Sequence, residues 1–403
     1  MHGRHRTPAR VRRGWRSSAL LALTVLVTGC AAVRRPPATV ASLERDAIAA
    51  AEGEEALSDS IVDRLARRAI ARGDRTIDIL LLSGGGQNGA YGAGFLRGWK
   101  LRADAPMPTF DLVTGVSTGA LQAPFAFLGS QAALDTMAAL YRRSAERFAP
   151  TLDWFFWLRR TGGLVNTSRF RRTMSTVLDS TMRSALLSEF RDGRQLVIST
   201  SDLDLATGHS WDLSRELGRP DDGLARVRQL LLASSSIPGI FPPQVIDGRV
   251  HADGGVIANL HPGLSFPKYE RLAAQVRALG LTEPVTIRLW VIMNLWVHAP
   301  AVVMNPAHRK ALSARTTLVL FWAQQSQLVQ RLTELTRAVN TGVEGLRMEM
   351  RYTDIPAWVA NDPAASKLFS QEFMVQLERL GFERGVGAAP WTTTTPSPYQ
   401  RPR

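Results

Sequence analysis

The sequence predicts an α/β protein with a largely parallel central sheet flanked by helices. Short aliphatic runs alternate with amphipathic stretches through the middle of the chain, the pattern of strands linked by crossover helices. Two of those runs, 77–82 and 110–114, pass directly into glycine-rich turns followed by helical patterns. At 403 residues the chain can bury a large core, as one large domain or two modest ones.

Taken in order, residues 43–71 read as a helix, with Ile61, Leu65 and Ile70 spaced among charges. Strand 77–82 leads into Gly84-Gly85-Gly86-Gln87-Asn88-Gly89 and a helical pattern, and seven glycines fall between Gly84 and Gly98. Glycine loses more conformational freedom on folding than any other residue, so this density requires something to approach the backbone closely. Residues 110–114 form the second strand and 118–128 the next helix. Further strands are expected at 195–200, 245–250 and 286–293, with helices at 170–178 and 224–232 between them. Helices at 311–341 and 371–380 close the pattern. The run "TTLVLFW" inside 311–341 is too short to span a membrane and reads as core. The last residues, "AAPWTTTTPSPYQRPR", lack periodicity and read as disordered. There is no internal repeat.

The net charge of +14 is concentrated at one end, because Arg4, Arg6, Arg10, Arg12, Arg13 and Arg16 all precede Ser17 and the remainder carries +8. The remaining basic residues are dispersed rather than gathered on a stripe, which argues against a nucleic-acid partner. The basic start runs into "SSALLALTVLVTG", about the length of a secretory h-region. Cys30, the sole cysteine, follows at once. Val27-Thr28-Gly29-Cys30 resembles the lipobox of bacterial lipoproteins, which implies cleavage before Cys30 and lipidation of its thiol. Several acyl chains on one residue would give stable attachment to a membrane. The cell envelope is therefore the expected location. Ala31 lacks the Asp that commonly retains lipoproteins at the inner membrane, so an outer membrane facing the periplasm is favoured if two membranes are present.

The glycine loop satisfies G-x-G-x-x-G between a strand and a helix, the context of a dinucleotide-binding turn. That turn needs an acidic residue at the end of the second strand to hold a ribose. Gly115-Val116-Ser117-Thr118-Gly119 stands there instead, and no Gly-Lys-Ser/Thr follows to make a P-loop. G-x-S-x-G between strand and helix thrusts a serine hydroxyl above the sheet, with flanking glycines relieving the crowding. A serine that attacks an ester creates an oxyanion, and three glycines at a helix N-terminus supply backbone N–H donors for it. A Ser–acid–His triad would draw on Asp202 or Asp204 with His298 or His308, whereas His209 and His251 fall in the wrong order for an α/β-hydrolase. A carboxylate at Asp253, followed by Gly254 and Gly255, also comes directly after a strand.

Glycine loop, G-x-S-x-G and D-G-G, in that order, together with "ASSSIPGIFPP" at 233–243, resemble the patatin-like phospholipase family over roughly 77–262. The resemblance implies a three-layer patatin-like fold and a Ser–Asp dyad without histidine: Ser117 as nucleophile, Asp253 as base. It further implies an oxyanion loop shaped by Gly84, Gly85, Gly86 and Gly89, an elbow flanked by Gly115 and Gly119, and support from Gly254 and Gly255. It implies no metal and no cofactor, and a membrane lipid ester as substrate. Asn88 stands where many relatives carry Arg or Lys, and Asn259-Leu260-His261-Pro262 is one residue longer than the usual end of the D-G-G block. The organisation expected is a signal peptide at 1–29, a lipidated N-terminus with spacer and helix at 30–75, and a catalytic core at 76–300. A mainly helical extension at 301–387 and a disordered tail at 388–403 complete it. Trp154, Phe155, Phe156 and Trp157 suit an acyl-pocket wall or a membrane patch, and equally ordinary core packing. A catalytically silent lipid-binding envelope lipoprotein and a triad esterase are the competing functional readings.

Overall fold

The computed structural model describes residues 35–147, 150–153, 161–298, 300–367 and 369–397. Cys30 with the segment before it, the aromatic run 154–157 and residues 398–403 lie outside the described residues.

Helix α1 spans Val40–Arg72, strand β1 Thr76–Leu82, α2 Gly89–Lys100, β2 Leu112–Val116, α3 Thr118–Leu128 and α4 Gln131–Arg142. A two-stranded hairpin, β3 (Thr151–Leu152) with β4 (Val165–Asn166), precedes α5 (Ser168–Val177) and α6 (Ser180–Arg191). Then come β5 (Gln195–Asp202), β6 (Thr207–Asp212), α7 (Gly223–Ser234), β7 (Gln244–Ile246), β8 (Arg249–Asp253), α8 (Phe266–Ala278) and β9 (Val285–Ile292). The chain continues through α9 (Arg309–Gly342), β10 (Leu346–Thr353) and α10 (Gln371–Val386). The main sheet runs β10-β9-β1-β2-β5-β8-β7, with β6 also on β5. Strands β10, β9, β1, β2 and β5 are mutually parallel, and the hairpin β7–β8 adds antiparallel to β5.

Three layers follow from the side-chain alternation of β1. Leu80 and Leu82 enter a core with Tyr91, Phe95 and Trp99 of α2, Ala120 and Ala123 of α3 and Leu377 of α10. Ile77, Ile79 and Leu81 enter a second core on the opposite face, with Leu65 of α1, Leu272 of α8 and Val329 of α9. A strand buried on both faces reads as a continuous aliphatic run, as "ILLL" at 79–82 does. Arg68 and Arg72 of α1 pair with the buried Asp111, and Arg72 also with the buried Asp78, tying that helix to the amino end of the sheet.

Several elements differ from the sequence expectation. The expected strand 245–250 is a hairpin, because Asp247 and Gly248 both take left-handed conformations (φ 51° and 80°) and reverse the chain; Asp-Gly is the preferred pair for that turn. The extension after residue 300 contributes a full strand, β10, paired with β9 over eight residues. The expected disordered tail is docked as far as 397: Trp391 packs 4.8 Å from the ring of Phe95 and 4.8 Å from that of Trp99. Thr392 bridges to Tyr352 at the free edge of β10. The run "TTLVLFW" is not core, since within it Leu318, Val319, Leu320 and Phe321 are exposed and only Trp322 is buried.

The glycines after Gly89 serve packing. A Cβ on Gly94 would lie 1.9 Å from the Glu378 carbonyl oxygen, and one on Gly381 would lie 2.0 Å from that of Tyr91. Gly98 and Gly385 meet the partner backbone in the same reciprocal way. Helices α2 and α10 therefore cross backbone to backbone through matched G-x-x-x-G pairs.

Candidate active site

The register along β5 brings the two sequence-predicted reactive residues together. Val116, the last residue of β2, pairs with Ser199, and Asp253, the last residue of β8, pairs with Thr200. Strand β6 occupies the other edge of β5. Strands β2 and β8 thus meet head to head along one edge, and Ser117, the residue after Val116, arrives beside Asp253. Ser117 Oγ donates a 2.6 Å hydrogen bond to Asp253 Oδ2.

Ser117 sits at φ 53°, ψ −123° between strand and helix, a conformation that costs a non-glycine residue on the order of 1–3 kcal/mol. Its neighbours must be glycine. A Cβ on Gly115 would lie 2.5 Å from the Gly119 carbonyl oxygen, and one on Gly119 would lie 2.3 Å from that of Leu82. The strained turn is held from outside: Ser117 N–H donates to Ser234 Oγ at 3.0 Å, and Ser234 Oγ donates to the Ser199 carbonyl at 2.6 Å. The Asp253 N–H donates to the Ser236 carbonyl at 2.9 Å. The serine-rich segment at the end of α7 therefore grips both Ser117 and Asp253. The sequence marked that segment only as a matching block; a run of hydroxyls carries no sign of which one faces the elbow.

Asp253 is 6% exposed. Its Oδ1 accepts the Gly255 N–H at 2.8 Å, which leaves Oδ2 for Ser117. Burial pushes the Asp253 carboxyl up to about 6, opposed by the hydrogen bonds from Ser117 and Gly255. The second glycine of the motif, Gly254, passes close to β5, where a Cβ would lie 2.6 Å from the Ser199 carbonyl oxygen.

The four glycines expected to shape the oxyanion loop divide into two kinds. Gly84 N–H is already committed to the Asn259 carbonyl at 2.9 Å, and Gly89 N–H bonds back into its own turn. Gly85 and Gly86 N–H groups have no hydrogen-bond partner among the described residues. Gly86, at φ 56°, lines the same cleft as Ser117. The loop is braced from behind, for Asn294 binds both Ser83 Oγ and the Ser83 carbonyl, each at 2.8 Å. Asn259 Nδ2 donates to the Gly84 carbonyl at 3.2 Å and to Gln325 Oε1 of α9 at 2.8 Å. Sequence reasoning missed this bracing, because the partners lie 175 and 211 positions away.

Ser117 opens into a narrow cleft of about 40 Å³, walled by Leu121, Phe170, Leu232, Ile237, Phe241, Phe369 and Met374. Among the described residues no histidine lines it. His298 and Asp202 make no contact with Ser117, and Asp202 instead pairs with Arg249. His209 and His251 are packed imidazoles against Trp211.

A strained serine bonded to a carboxylate, beside free backbone N–H groups and an apolar cleft, has the parts that acyl transfer from a lipid ester requires. Residues 80–262 match the patatin-like phospholipase family. That segment, a little under half of the chain, is similar to the patatin-like phospholipases. No curated protein matches the sequence. The solved structure of VipD from Legionella pneumophila aligns with 77% of this chain at 13% identity and a TM-score of 0.31. The aligned part of this chain spans 66% of the VipD chain, a little under two thirds.

Proposed function

We propose that the protein cleaves acyl esters of membrane lipids through a Ser117–Asp253 dyad, held at the cell envelope by a lipidated Cys30. The observation that supports the dyad is the 2.6 Å bond between Ser117 Oγ and Asp253 Oδ2 at the strained turn. Ser117 Oγ attacks the ester carbonyl carbon as Asp253 takes its proton, and the carbonyl oxygen becomes an oxyanion within reach of the Gly85 and Gly86 N–H groups. The tetrahedral intermediate expels the alcohol, which receives the proton from Asp253. Water then attacks the acyl-enzyme, Asp253 takes the water's proton, and the proton passes back to Ser117 as the fatty acid leaves. An ordinary carboxylate is a weak base for this work. The buried setting of Asp253 strengthens it. The apolar cleft suits an acyl chain rather than a head group.

The test is covalent trapping. A fluorophosphonate probe should add to a single peptide containing Ser117 and should fail to label Ser117→Ala while that variant stays folded. Equal labelling of both proteins contradicts the assignment. The lipid anchor is read separately, by the mass of the mature N-terminus: a diacylglyceryl adduct on Cys30 is expected, and a free thiol there contradicts it.

A further inference from the structure

Helix α9 is much longer than the sheet it covers. Its 34 residues extend ~51 Å, against ~26 Å for the eight-residue strands β9 and β10. The helix leads into Leu346, which pairs with Val285 at the amino end of β9, so it runs down from the carboxyl edge of the sheet. Gln325 marks that edge, being bonded to Asn259, which holds the Gly84 carbonyl. The first 16 residues of α9 therefore reach roughly 24 Å beyond the edge, with one side held where Arg315 donates to the Pro300 carbonyl and the buried Trp322 packs on Trp296. That is the edge at which Ser117 stands.

This arm has the wrong surface for water. Leu318 is 45% exposed, Val319 43%, Leu320 67% and Phe321 51%. Successive residues of a helix are ~100° apart, so four in a row surround most of its circumference. The charge has one sign: no Asp or Glu occurs between Glu283 and Glu334, while Arg309 and Lys310 are exposed at the arm's start. Two copies meeting arm to arm would bring those cations together. Apolar side chains combined with basic ones and no acids suit the headgroup boundary of an anionic bilayer. No described helix is long and apolar enough to cross a membrane, which leaves lying in the interface.

We propose that the projecting start of α9 seats the protein on anionic phospholipid bilayers and presents the Ser117 cleft to them. The proposal deepens the lipid-hydrolase reading and rests on it for the identity of the surface. Because Cys30 is the sole cysteine, Cys30→Ser with Leu320→Cys gives one labelling position on the arm. Cys30→Ser with Arg337→Cys gives one at the exposed far end of the same helix. An environment-sensitive fluorophore at 320 should brighten and shift to the blue with phosphatidylglycerol vesicles and respond far less to phosphatidylcholine vesicles. The label at 337 should not respond. An unresponsive 320, equal responses at the two positions, or a blue shift that grows with protein concentration without lipid overturns the proposal. Leu320→Ser with Phe321→Ser should slow turnover on phosphatidylglycerol vesicles about tenfold or more, while p-nitrophenyl butyrate turnover stays within about twofold. Equal losses on both substrates also overturn it. If the unaltered protein fails to cleave the soluble ester, the hydrolase reading fails, and the fluorescence still decides the arm.

Discussion

Asp253 carries two opposing demands, and pH separates them. Burial raises its carboxyl to about 6 from an ordinary value of 3.8. As a base it must be ionised, so turnover of a soluble ester should rise with pH through about 6 and then level off. For stability the sign is reversed. A carboxyl raised in the folded state contributes stability that is fully present below 3.8 and lost as pH rises through about 6. Asp253→Asn removes that loss. The variant should therefore unfold at a higher temperature than the parent at pH 8, by about 1–3 kcal/mol in free energy, and lose the advantage near pH 3.5. Thermal unfolding at the two pH values checks it; an advantage that is larger in acid contradicts the raised carboxyl. At this scale the sequence was legible where one residue type is forced. The glycines around Ser117 announce an elbow because any Cβ there collides with backbone. Ser234 and Asn259 were not legible, because many polar residues could occupy those places and only the fold selects which does.

Glycine density also misled in an instructive way at the level of elements. The run from Gly84 to Gly98 invites one explanation and has two. Its first part makes a loop with two N–H groups that have no partner among the described residues, and its second makes a helix crossing with Gly381 and Gly385. The matching three-residue gaps were visible in the sequence, but nothing local joins positions nearly 290 apart. Gly94→Ala forces a Cβ to within 1.9 Å of the Glu378 carbonyl oxygen. It should cost about 1–3 kcal/mol, seen as a lower urea midpoint, with ester turnover per folded molecule nearly unchanged. Unaltered stability would mean that the two backbones do not touch. The missed strands have a similar cause. Strand β6 reads "TGHSWD", polar because it is exposed over part of its length, and β10 reads "LRMEMRYT", in which Leu346, Met348, Met350 and Tyr352 alternate with polar residues at the edge of the main sheet. A continuous aliphatic run reports burial on both faces, whereas a strand with water on one side shows only alternation, which a short segment carries weakly.

At the scale of the whole molecule, the α/β class and the layered arrangement were legible because the parallel strands are buried on both faces and therefore read as aliphatic runs. The tail was not, since four threonines beside prolines look disordered whether or not a tryptophan among them docks. Trp391 does dock, with its ring 5.1 Å from that of Trp290 as well. What the fold achieves as a whole is the meeting of two residues 136 positions apart, set at one edge of the sheet with the projecting helix beyond it. The central claim is that those two residues perform the proton chemistry without an imidazole. The most direct measurement is the turnover number for a short-chain ester in the parent, Asp253→Asn and His298→Ala, each checked for folding by circular dichroism. The account predicts a fall of ~10²–10⁴-fold for Asp253→Asn and near-parental turnover for His298→Ala. A dead His298→Ala beside an active Asp253→Asn would contradict it.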